Sequence, residues 1–161
     1  MTPSEYITKL TEISQKKIVI LKEILILTKR QSENIQEDCL DTLKYIVEEK
    51  QRFMDDVDKL DDAFEVYFKR LKSTLGIESL DKLTSNANIG DTATLKNHIQ
   101  EIFNLLNQID LLDKDNNEKG KTLMTKLSTE IKKVNQKKII NNGYKPASSM
   151  PQQSLYFDTK K

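Results

Sequence analysis

From Cys39 to Leu71 the chain repeats one spacing without a break. Cys39, Leu43, Ile46, Lys50, Phe53, Val57, Leu60, Phe64, Tyr67 and Leu71 follow one another at alternating steps of four and three. Steps of four and three hold one face of an α-helix, and no β-strand can bury such a pattern on one side. A neighbouring stripe, Leu40, Val47, Met54, Phe68 and Leu75, widens the face, with Asp61 at one of its steps. A face this wide packs against two neighbours, whereas a two-stranded coiled coil needs a single seam. The spacing predicts a helix from Ile35 to Leu75, roughly 60 Å long at 1.5 Å per residue. Asn34 and Glu37 read as a capping-box variant at its start, and Gly76 is its natural stop.

The same arithmetic finds two more helices. Between Thr2 and Gln31 the seam is Tyr6, Leu10, Ile13, Ile20, Ile24 and Leu27, with Lys17 filling one step and Ile7, Ile18, Leu21 and Leu25 beside it. Thr2 can cap this helix, Pro3 suits the first helical position, and Glu5 favours the helix dipole. The third pattern starts near Thr92, with Asp91 or Thr92 as cap, and runs through Leu95, Ile99, Ile102, Leu106 and Ile109. Residues 113–120 then hold no apolar side chain, yet counting on by four and three reaches Asp113, Asn116, Gly120, Leu123 and Leu127. One long helix, with a possible kink near Gly120, accounts for this register better than two helices and a loop. Residues 77–83 read as a short helical connection and 84–91 as a polar loop.

The expected fold is therefore all-α: an elongated antiparallel bundle of three long helices with a short connecting helix and a disordered C-terminal tail. Residues 1–142 form the bundle domain and 143–161 the flexible tail, where Asn141, Asn142 and Gly143 mark the stop. The tail carries Pro146 and Pro151 and ends on an apolar cluster, Leu155, Tyr156 and Phe157.

Composition removes most chemistry. Hydrophobic residues are 37% of the 161 residues, enough for a core, while Gly, Pro and aromatic residues are too few for a many-turned β-sandwich. One Cys and one His leave no disulfide framework and no zinc site, and little for acid–base catalysis. Taking Asp113 as the first position of a calcium loop, Glu118 stands where Gly is needed and Met124 where Glu is needed. His98 reads as an ordinary helical residue and Cys39 as a small buried hydrophobe. Asp55/Asp56 and Asp61/Asp62 diverge on a helix and make no acid–base pair, though Asp61 sits on an apolar stripe, where it reads as an edge position in water. No cofactor and no metal is expected, and the chain does not read as an enzyme. There is no apolar run of 18 residues and no signal peptide, so no membrane insertion is expected, and the protein should be cytoplasmic or released without a cleaved signal.

The formal charge of +1 hides a division. Residues 37–62 carry ten acidic and four basic side chains, whereas residues 132–161 carry seven lysines and one aspartate. The near-neutral total is not that of a nucleic-acid binder, but the basic end can steer towards an acidic partner. Leu123, Leu127, Ile131 and Val134 extend beyond the packing that a first helix of about 30 residues offers, at steps that suit docking of a partner helix in a groove. They serve equally to close the end of the bundle.

The run Leu43-Lys-Tyr-Ile46-Val-Glu-Glu-Lys50-Gln51-Arg-Phe53-Met54, followed by Val57, Leu60 and Asp61, resembles the second helix of the FlgN family of flagellar type III export chaperones. Leu106-Asn-Gln-Ile109 leading into Asn116, Asn117, Gly120 and Leu123 is similar to the Asn-containing stretch of that family's third helix. The Lys-rich helix end, Tyr144 and the terminal Leu155-Tyr156-Phe157-Asp158 resemble its short tail. The resemblance implies a cytoplasmic, non-enzymatic chaperone. Such a chaperone would bind the C-terminal helical segment of hook–filament junction proteins, prevent their premature assembly and deliver them to the export gate. It places the partner contact on the second half of the third helix and on the tail, with Tyr144 facing the cytoplasmic domain of the gate. A self-associating coiled-coil scaffold and a helical regulator of a secretion system remain as alternatives.

Overall fold

In a computed structural model of the chain, the structure describes residues 1–83 and 90–142. Among these the chain is all-α. Three long helices are described, α1 (Pro3–Glu33), α2 (Leu40–Leu75) and α3 (Ala93–Asn142), with 3-10 turns at Glu37–Cys39, between α1 and α2, and at Leu80–Lys82, after α2. The chain divides into two compact units, residues 1–27 with 49–110 and residues 28–48 with 111–161.

The first unit holds the larger share of the core. Tyr6, Ile7 and Leu10 of α1 are buried with Leu71 of α2, Leu95 of α3 and Leu83 of the connection. Further along, Ile18, Leu21 and Ile24 bury against Val57, Ile102, Leu105 and Ile109. Tyr6 meets Tyr67 at 6.3 Å between ring centroids, and Lys17 meets Asp61, so α1 and α2 run antiparallel here. Lys22 pairs with Glu101 at 3.4 Å, and the order of buried residues makes α1 and α3 parallel. Both apolar stripes of α1 are used, one helix facing two neighbours.

Local chemistry fixes the helix ends. The Thr2 N–H donates to Glu5 Oε2 at 2.6 Å and the Glu5 N–H donates to Thr2 Oγ1 at 3.2 Å, a reciprocal capping box at the start of α1. At the end of α2, Gly76 takes φ +66°, and the Ile77 N–H donates to the Lys72 carbonyl at 3.1 Å. That is a Schellman stop, and Ile77 packs on the cluster that holds Leu71. The Asp91 carboxylate accepts from the Ala93 N–H at 2.9 Å and from the Thr94 hydroxyl at 2.7 Å, and so caps α3. Lys96 Nζ ties α3 to the connection by donating to the Leu83 carbonyl at 2.6 Å.

The second unit is built differently. Leu43 and Ile46 are fully buried, but so are Thr28 and, at 1% exposure, Asn116. Asn116 Nδ2 donates to the Thr28 carbonyl at 3.1 Å, and the Ser32 hydroxyl donates to Asn116 Oδ1 at 2.7 Å. The polar stretch 113–120 thus remains helical, and α3 runs unbroken through Gly120. Its heptad slot is filled by a satisfied amide in place of a hydrophobe.

Two local expectations are corrected. The Asn34 side chain does not cap α2: its Nδ2 donates backwards to the Arg30 carbonyl at 2.7 Å, closing the end of α1. The 3-10 turn at Glu37–Cys39 precedes α2 and starts at Gln36 with no side-chain cap. Cys39 lies in that turn and is only partly buried, so it is not the core hydrophobe that its place on the seam suggests. The turn breaks the helical phase before the seam begins.

Candidate functional site

The second half of α3 emerges progressively from its packing. Leu123 is 8% exposed and Leu127 half-buried, while Ile131 is 37% and Val134 51% exposed. All four lie on one stripe, so a single helix face passes from core to solvent within about three turns. Ile139 and Ile140 are exposed as well, Ile140 at 81%. Lys132, Lys133, Lys137 and Lys138, all exposed, surround them. A cationic border around an apolar stripe that is exposed among the described residues suits docking of an amphipathic helix with acidic flanks.

Four of the sequence-derived site residues are therefore brought onto one face: Leu123 at its buried end, Ile131 and Val134 at its open end, and Leu127 between. The remaining four, Tyr144, Leu155, Tyr156 and Phe157, lie outside the described residues. Ile139 and Ile140 were missed as site residues. Two isoleucines among four lysines at the end of a helix are the signal that could have found them.

Elsewhere the polar groups are structural. Lys17 and Asp61, one on each of two apolar seams, form an ion pair at 2.6 Å. Asp61 is thus not a bare edge carboxylate. Asp55 accepts from Gln51 and Asp56 faces Lys59, each within α2. His98 is half-buried, and among the described residues its Nδ1 has no hydrogen-bond partner. Desolvation, followed by the charge of Asp38, pushes the Cys39 thiol above its ordinary range, which makes it a poor nucleophile. Among the described residues no group of three or more His, Cys, Asp or Glu side chains could hold a metal ion. No helix among them is long and apolar enough to cross a membrane.

No curated protein matches the chain, and no solved structure does. A family model described as FlgN protein matches residues 1–152, which takes in all three helices and reaches past the end of α3. With that match over nearly its whole length, this chain belongs to the FlgN family of flagellar export chaperones.

Proposed function

We propose that this chain acts in the cytoplasm as a non-enzymatic chaperone that binds the C-terminal helical segment of flagellar hook–filament junction proteins. By holding that segment it prevents premature assembly, and it delivers its cargo to the cytoplasmic domain of the export gate. Residues 1–142 serve as the folded body and residues 143–161 as a second contact, with Tyr144 offered to the gate and Leu155, Tyr156 and Phe157 to the cargo.

The observation that carries the reading is the graded exposure of Leu123, Leu127, Ile131 and Val134 on one face of α3. The buried end of the stripe anchors the face, and at the open end apolar side chains stand exposed among the described residues. A terminal helix of a filament subunit is amphipathic and prone to aggregate while free, and this face supplies the missing cover.

The test is binding of a peptide that spans the C-terminal helix of a junction protein. Val134→Asp is expected to weaken binding at least about tenfold with unchanged helicity, because the side chain touches little else in the fold. Leu127→Asp is expected to act in the same way; loss of helicity in that variant assigns Leu127 to the core. Truncation after Asn142 is expected to leave a folded body that binds more weakly. Full-strength binding by both Val134→Asp and the truncated chain sinks the proposal.

A further inference from the structure

The first unit has an open apolar groove of its own. Ile13 of α1, Phe64 of α2, and Ile99, Phe103 and Leu106 of α3 line a cavity of about 220 Å³, with the Lys17–Asp61 pair in its wall. Phe103 is 59% and Leu106 40% exposed, so the α3 side of the groove is unpartnered. The α2 side is acidic. Lys17 neutralises Asp61, but Asp58 and Glu65, one helical turn to either side of it, are exposed. The neighbouring α3 positions, Gln100, Asn104 and Asn107, carry no charge.

This groove calls for a helix with an apolar stripe and a basic border, and the chain carries one. Leu127, Ile131, Val134 and Lys138 follow steps of four, three and four, and Lys132, Lys133 and Lys137 lie around them. A single molecule cannot make the match, because Phe103 and Ile131 belong to one continuous helix, which cannot double back into a groove it walls.

We propose that a second copy of this chain docks the end of its α3 in this groove, and that two copies exchange their helix ends reciprocally. Ile131 and Val134 of one copy cover Phe103 and Leu106 of the other, while Lys132 and Lys138 approach Asp58 and Glu65. Reciprocal exchange closes the assembly at two. The pairing itself does not depend on the chaperone reading. Its consequence does rest on that reading: the pair shields the cargo-binding face until cargo displaces the second copy.

Sedimentation of the full chain over a range of concentrations tests the pairing. A monomer–dimer equilibrium is expected, weaker at high salt. The double variants Asp58→Lys/Glu65→Lys and Lys132→Glu/Lys138→Glu are each expected to raise the dissociation constant roughly tenfold or more, and mixing the two is expected to restore pairing. Phe103→Ser is expected to give a folded monomer that still binds the junction-protein peptide, since that residue lies outside the cargo face. A wild-type chain that stays monomeric, reversed variants that pair like wild type, or a mixture that stays monomeric overturns the proposal. Loss of pairing on truncation after Asn142 also overturns it, by making the tail the occupant. Pairing lost in Val134→Asp while peptide binding persists keeps the dimer and rejects the cargo face.

Discussion

Lys17 Nζ lies 2.6 Å from Asp61 Oδ1, joining α1 to α2 across two stripes that are otherwise apolar. The lysine side chain is 17% exposed and the carboxylate 48%, so solvent screens the pair from one side only. Removing the acid alone leaves a lysine against Ile13 and Phe64, and Asp61→Ala is expected to lower stability by about 1 kcal/mol. Replacing both, as Lys17→Met with Asp61→Leu, is expected to leave stability unchanged or raised, since matched hydrophobes fill the same space without desolvating charges. Urea unfolding midpoints of the two single variants and the double variant measure this as a double-mutant cycle.

Asn116 is the polar counterpart in the second unit. Asn116→Ala removes a donor to the Thr28 carbonyl and the acceptor of the Ser32 hydroxyl, so the two bonds that tie α3 to α1 here are lost. The expected cost is about 1–3 kcal/mol. Hydrogen exchange is expected to quicken in residues 111–127 and to leave residues 93–105 protected.

Gly76 ends α2 at φ +66°, and nothing lies within 4 Å of where a Cβ would stand. The cost of Gly76→Ala is therefore backbone strain alone, about 1 kcal/mol. Gly76→Asn is expected to fall between the two, because asparagine enters the left-handed region more readily. Thermal unfolding of the three proteins ranks them.

Asp91 titrates with the start of α3. The Thr94 hydroxyl and then the Ala93 N–H hold its carboxyl below the usual aspartate range. A folded value below the unfolded one means that the cap stabilises above the unfolded value and is lost as pH falls through the folded one. Protection factors at residues 93–96 are expected to drop on acidification below the ordinary carboxylate range. Asp91→Asn is expected to keep an acceptor and lose that pH dependence. Glu5, lowered first by the Thr2 N–H, is expected to behave in the same way at the start of α1.

The helices were legible because their apolar residues repeat at helical steps over many turns, and Gly76 and Asp91 mark their ends by chemistry that acts locally. What the sequence hid was pairing across distance. Lys17 and Asp61 each read as a polar break in a stripe, and only the meeting of residues 44 apart turns the two breaks into one contact. Asn116 read as part of a polar gap, because nothing local says that Ser32 will be opposite it. Asn34 misled for the opposite reason: its side chain had two local uses, and the carbonyl of Arg30 behind it won over a helix start ahead. On the candidate face, the steps from Leu123 to Val134 were visible in the sequence, but the point where cover runs out depends on where α1 ends and α2 begins.

The contacts of α1 also set an order in time. Its bond to α2 at Asp61 closes 44 residues, and its bond to α3 at Asn116 closes 84. Loop closure grows costlier with length, and a chain leaving the ribosome offers α1 and α2 to each other well before α3 exists. Among the described residues, the end of α3 with its exposed isoleucines is the last helical stretch to be made. It enters the cell on a scaffold whose other two members are already waiting, so a nascent chain never presents that surface without the body that positions it.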